Sequence, residues 1–313
     1  MTIGSVLGGC YFVEAGPPPA LRAQSAKLRM LESLVTLPVR LLAIDIDGTL
    51  LNSQFQISTT DLAALRTAHS RGIEIVLVTG RKHAFAFPIA QQLGIPLWLI
   101  SSNGAVTRSL SGELFHRDLL PVETCRSLCY AMREFRGNTV VSFDKETKGA
   151  LVLERMDELT WSIQKWLEKN LQYIELVVPL EDALVSDPIQ AMFCGPITRM
   201  KEALAVLGAN GTAKHTTVLR TEYPQRDLCI IDVLNRDCSK GHALRRWTEH
   251  RGIAPEAVMA IGDNHNDAEM LAFAGVPFIM GNACDELKAR GWRVTRTNDE
   301  NGVAAALEQV LHE

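Results

Sequence analysis

The stretch Leu41-Leu42-Ala43-Ile44-Asp45-Ile46-Asp47-Gly48-Thr49-Leu50-Leu51 constrains this chain more than any other. An apolar run broken by two aspartates predicts a short buried parallel strand. Its carboxylates fall at the carboxyl end, where α/β sheets place their ligands. Two ionised carboxylates beside a buried strand repel each other and lose hydration, so they need a cation, a shared proton or a phosphate-bearing partner. Magnesium suits such a place, because it is a hard ion that takes oxygen ligands and keeps several waters. Gly48 lets the chain turn and bring backbone amides near an anion, and Thr49 adds a hydroxyl or a cap. Taken alone, the stretch is equally a loop with two solvated aspartates, and the remainder of the chain has to decide.

A chain of 313 residues predicts one large domain or two moderate ones. The net charge of −4 gives no electrostatic reason to expect nucleic acid, which demands a basic face, and there is no polybasic run for a membrane surface. No apolar run approaches the ~20 residues that span a bilayer. The seven cysteines are odd in number, scattered and without C-x-x-C, which predicts free thiols in a reducing compartment, the cytoplasm. Residues 1–37 are mildly apolar from Ile3 to Val13 and then broken by Gly16-Pro17-Pro18-Pro19. They read as a flexible extension, or as a start assigned upstream of Met30.

Beyond the first strand, Ser58 to Asp61 offers helix caps and the apolar spacing predicts a helix ending at Arg71-Gly72. Strands are predicted at Ile73 to Val78 and Leu97 to Ile100, with a helix from Ala84 to Leu93 between them. Each strand halts at a small polar cluster: Thr79-Gly80-Arg81 after the second, Ser101-Ser102-Asn103-Gly104 after the third. A right-handed βαβαβ unit lines these clusters along one sheet edge. From about 118 to 226, mixed strands and helices without such clusters predict an inserted α+β segment. Residues 38–117 and 227–313 then form one core. In it, a helix from Lys240 to Arg251 and a strand from Ala257 to Ile261 lead into Gly262-Asp263-Asn264-His265-Asn266-Asp267.

Singly, these groups have ordinary explanations: Thr79 ends a strand, Lys240 is solvated in a first helical turn, and Asp263 and Asp267 favour a helix dipole. Jointly, D-x-D-G-T, a strand-end Thr, a Lys and G-D-x-x-x-D in this order resemble the haloacid dehalogenase-like phosphohydrolase superfamily. The flanking Thr79-Gly80-Arg81, Ser102-Asn103-Gly104-Ala105, Ser239-Lys240-Gly241 and Gly281-Asn282-Ala283 look like its Cof-type subfamily, with a large α/β cap. The resemblance covers about residues 38 to 313. It implies a Rossmann-like parallel-sheet core with an inserted α+β cap, and a Mg²⁺-dependent phosphatase acting on small phosphorylated metabolites: sugar phosphates, flavin mononucleotide or a riboflavin-pathway phosphate. A sugar phosphomutase or phosphotransferase is the alternative, and a ligand-binding regulator a third.

The roles follow from the same comparison and from chemistry. Asp45 is the expected nucleophile, and Asp47 the acid and then base. Asp45, Asp47 (through its backbone carbonyl), Asp263 and Asp267 are the expected metal set. Thr79, the Gly80 amide, Lys240 and Asn266 are expected on the phosphate, while Arg81 and Asn103 read equally as substrate contacts or as loop structure. His265 is set aside as a metal ligand because Mg²⁺ prefers oxygen. Within the insertion, Asn138, Phe143, Asp144, Glu154 and Arg155 are polar or aromatic strand positions, none of which can be singled out. Trp161 and Trp166 read as core or interface.

Overall fold

In a computed structural model, residues 39–209 and 211–311 are described, so the expected extension 1–37 lies outside the described residues. The first half runs β1 (Leu41–Ile44), α1 (Thr59–Ser70), β2 (Glu74–Val78), α2 (His83–Gln91), β3 (Trp98–Ser101), β4 (Val106–Ser109) and β5 (Leu114–Arg117). Then follow α3 (Val122–Ala131), β6 (Thr139–Ser142), β7 (Leu151–Leu153), α4 (Trp161–Glu168), β8 (Ile174–Leu176), β9 (Gln190–Gly195), α5 (Ile197–Ala209), β10 (Thr216–Tyr223) and β11 (Leu228–Asn235). The chain closes with α6 (Lys240–Arg251), β12 (Val258–Gly262), α7 (Ala268–Phe273), β13 (Val276–Ile279), α8 (Asp285–Lys288), β14 (Arg293–Val294) and α9 (Gly302–Leu311).

One sheet has the order β14-β13-β12-β1-β2-β3-β4-β5, parallel from β14 to β3 and antiparallel beyond. Every residue of β1 is buried, and alternate side chains serve opposite faces. Leu42 and Ile44 pack with Leu65 of α1, Ile89 of α2 and Leu307 of α9, while Leu41 and Ala43 pack with Leu244 and Trp247 of α6 and Leu271 of α7. Helices on both faces explain the unbroken apolar run. The chain leaves β1 for β2 on one side, and β12 lies on the other. The carboxyl ends of β1 and β12 therefore flank a topological switch point, the usual crevice of an open α/β sheet.

The second sheet has the order β10-β11-β9-β6-β7-β8 and is antiparallel except for β7 and β8. Its outer face, Val141, Phe193, Ile231 and Val233, is covered by Leu128 of α3 and Met200 and Leu207 of α5. The expected return to the first sheet near 226 comes one strand early, because β11 pairs with both β10 and β9. It is the eight-residue antiparallel ladder with β10 that carries β11 into the second sheet. The two sheets meet through Lys82, whose Nζ donates to the carbonyls of Phe143 at 2.6 Å and Ala150 at 3.1 Å, and through the Arg108–Asp144 ion pair at 2.9 Å. Phe85 of α2 stacks edge-on against Trp166. Trp166 is thus an interface residue as expected, whereas Trp161 is 73% exposed and belongs neither to core nor to this interface. Among the described residues, no helix is long and apolar enough to cross a membrane.

Candidate active site

Four strand ends of the first sheet converge at the switch point. Asp45 follows β1 directly and is buried, and Gly48 turns the chain with φ +82°. A side chain at Gly48 would collide with the Asp263 carboxylate, so glycine is required both for the turn and for the close approach of the β12 loop. Ser239 caps α6 by accepting the His242 N–H, which sets Lys240 in the first turn. Gly104, at φ +107°, lies against the Ser239 backbone, where any Cβ would clash; the loop after β3 thereby seats the start of α6.

Lys240 is 1% exposed and its Nζ donates to Asp45 Oδ1 at 2.6 Å and to Asp267 Oδ1 at 2.7 Å. Asp267 Oδ2 accepts the backbone N–H groups of Asp263 and Asn264, both at 3.0 Å, and so shapes the acidic loop. Asp263 Oδ1 accepts the Thr49 hydroxyl at 3.0 Å. One carboxylate oxygen from each of Asp45, Asp263 and Asp267 lies within 4.8 Å of the others. Burial pushes the Asp45 carboxyl up to about 7, with Asp267 and Asp47 adding to the rise and Lys240 opposing it. Burial, then Asp45 and Asp267, raise Asp263 well above the usual carboxylate range, against Thr49 and Lys240. A single ammonium does not balance these buried acids, and three hard oxygen donors at this spacing fit a small dication.

Asp47 is not part of the carboxylate cluster. Its two oxygens accept Arg81 Nε at 2.7 Å and Nη2 at 2.5 Å, a bidentate pair formed between the loops after β1 and β2. Thr79 is buried, its hydroxyl accepting the Arg81 N–H at 3.1 Å, so Gly80 and Arg81 rather than Thr79 border the pocket. Asn266 Nδ2 donates to Asn103 Oδ1 at 3.0 Å. His265 is exposed, outside the acidic cluster and 3.8 Å from Cys284 Sγ.

Over Asp45 lies a pocket of about 200 Å³, adjoining a cleft of about 970 Å³ along the β10–β11 hairpin. The roof of the smaller pocket comes from the second sheet at period-two positions: Gln190 and Met192 of β9, Thr221 and Tyr223 of β10, and Ile230 and Asp232 of β11. None of the five insertion residues weighed from sequence borders either space. The available signal was Asp232, a lone acid in the apolar run Leu228 to Leu234. Burial pushes its carboxyl up to about 7, although Asn103 and Gln190 donate hydrogen bonds to it.

A family model of haloacid dehalogenase-like hydrolases matches residues 42–307. Phosphatase YwpJ of Bacillus subtilis (strain 168) is 32% identical over 303 residues, covering 87% of this chain and all of the relative. The HMP-PP phosphatase of Shigella boydii serotype 4 is 30% identical over 253 residues, covering 80% of this chain and 91% of the relative. A crystal structure of a haloacid dehalogenase-like hydrolase from Bacteroides thetaiotaomicron is similar with a TM-score of 0.71 and 27% identity, covering 87% of this chain and 99% of that one. With the acids of β1 and β12, the buried lysine and the switch-point crevice on one side and these matches on the other, the chain belongs to the haloacid dehalogenase-like hydrolases.

Proposed function

We propose that this chain is a Mg²⁺-dependent phosphatase that hydrolyses small phosphorylated metabolites through an aspartyl-phosphate on Asp45. One observation carries the reading: Asp45 stands at the end of β1, bound to a buried lysine, inside a three-carboxylate cluster and beneath a small roofed pocket. The phosphatases among its relatives support it. Asp45, Asp263 and Asp267 would hold Mg²⁺, with the Asp47 backbone carbonyl as a further oxygen. When bound, the ion neutralises charge on the transferring phosphoryl group.

Lys240 neutralises Asp45 and the phosphoryl oxygens, and the Gly80 amide and Asn266 donate hydrogen bonds to them. An Asp45 carboxylate oxygen attacks phosphorus as the bond to the leaving oxygen breaks, and Asp47 gives that oxygen a proton. Asp47 then takes a proton from the water that attacks phosphorus, which breaks the bond to Asp45 and yields inorganic phosphate. Arg81 holds both Asp47 oxygens in the resting arrangement, and the phosphoryl group is a natural further partner for its guanidinium. The volume of the pocket favours small leaving groups such as sugars, and the adjoining cleft leaves room for a larger ring such as flavin.

The test is phosphate release from a panel of sugar phosphates, nucleotides and flavin mononucleotide, with Mg²⁺ or with EDTA. Release that requires Mg²⁺ is expected for at least one small metabolite. Release unchanged by EDTA contradicts the metal role, and no release from any compound contradicts the phosphatase reading and turns attention to phosphoryl transfer between sugars.

A further inference from the structure

The pocket over Asp45 has a floor and a roof of opposite chemistry. Its floor, with the Gly80 amide, Arg81, Lys240 and Asn266, is rich in donors, which suits a phosphoryl group. The roof adds two acceptors, Asp232 and Gln190, beside the hydroxyls of Thr221 and Tyr223. Asp232 Oδ2 accepts Asn103 Nδ2 at 3.0 Å, and Asp232 Oδ1 accepts Gln190 Nε2 at 2.8 Å. Gln190 turns its NH₂ group toward Asp232 and its carbonyl oxygen elsewhere, the arrangement that an ionised Asp232 requires. That oxygen, Oε1, is buried and has no hydrogen-bond partner, on a residue 7% exposed that borders the pocket. Ser142 stands opposite Gln190 in the β6–β9 ladder, and its hydroxyl is also without a partner, so this neighbour does not meet the need. Folded proteins seldom leave a buried acceptor unmet, and a ligand is one way to meet it. Met192 and Ile230 give the same roof an apolar flank.

We propose that Gln190 Oε1 and the remaining lone pairs of the Asp232 carboxylate form a subsite that accepts hydrogen bonds from the hydroxyls of a neutral polyol leaving group. This rests on the phosphatase reading and specifies which esters the site prefers. An alcohol with hydroxyl donors and an apolar face matches the roof. A leaving group that carries its own carboxylate meets Asp232 and an acceptor oxygen, and is rejected.

The experiment measures kcat/KM with Mg²⁺ for a hexose 6-phosphate, its monodeoxy analogues and p-nitrophenyl phosphate, in wild type and Gln190→Met. In wild type at least one deoxy analogue is expected to be about tenfold or more worse than the parent sugar, since a site built around a hydroxyl leaves its own group unpaired when that hydroxyl is missing. In Gln190→Met that gap should shrink to about threefold or less, because the acceptor is gone. Should Gln190→Met fail to fold, Gln190→Ala, which removes the same acceptor, reads the same gap. Wild type indifferent to every deoxy position, or a gap that persists in the folded variant, overturns the subsite. No release even from p-nitrophenyl phosphate is a different failure, that of the phosphatase reading itself.

Discussion

Asp45→Asn is expected to lower turnover by at least about 10³-fold while the protein stays folded, because an amide oxygen cannot replace a carboxylate as nucleophile toward phosphorus. The side chain keeps its shape, and Lys240 retains Asp267 as a partner. The variant also removes one charge from a crowded, buried set, so its stability has a defined pH dependence. Asp45 is held at about 7 against an ordinary value of 3.8, chiefly by burial. A carboxyl raised in this way keeps its proton longer in the folded state than in the unfolded one. Its ionisation therefore costs stability progressively as pH rises from about 4 to about 7, and the cost stays in full above that range. In EDTA, Asp45→Asn should thus melt close to wild type near pH 4 and above it at pH 8. Phosphate release and melting temperature across this range check both halves. An Asp45→Asn enzyme within tenfold of wild type contradicts the assigned nucleophile.

Lys240→Met is expected to damage both activity and stability. The ammonium is fully buried between Asp45 and Asp267, and nothing else basic touches either carboxylate among the described residues. Removing one partner from a buried ion pair costs about 3–5 kcal/mol, because the remaining charges stay desolvated and unpaired. Here those charges also repel each other across the cluster with Asp263. Low pH should soften the defect by protonating Asp45 and Asp263, so the fall in melting temperature is expected to be smaller at pH 5 than at pH 8. Mg²⁺ should restore part of the stability at pH 8 without restoring turnover, since the phosphoryl oxygens still lack their ammonium. A variant as stable as wild type at pH 8 in EDTA contradicts this account of the cluster.

What could be read from sequence, and what could not, follows the range of the interactions. β1 and β12 are short apolar runs that end in acids, and α6 has its cap at Ser239 and its αL glycine at Gly252, so their placement is local. The union of Asp45, Lys240 and Asp267 was legible because parallel strands bring their carboxyl ends to one edge. The pairing of Arg81 with Asp47 was not, since it depends on two loop conformations rather than on any spacing. β4 and β5 are not legible for another reason: Val106-Thr107-Arg108-Ser109 alternates weakly, and antiparallel pairing with β3 holds it in place. The pocket roof was the hardest part. Gln190, Tyr223 and Asp232 meet only because β9, β11 and β10 are neighbours in the second sheet, and β11 itself lay outside the expected insertion.

The central claim is a covalent intermediate on Asp45 that Asp47 helps to break down, and p-nitrophenyl phosphate with Asp47→Asn tests it most directly. Nitrophenolate leaves without a proton, so the first step proceeds without an acid, whereas the attack of water still needs the base. The account predicts a burst of nitrophenolate of about one per site, followed by slow release, with phosphate bound to residue 45 after acid quench. Steady nitrophenolate release at the wild-type rate, with no burst and no phosphate on Asp45, would contradict it.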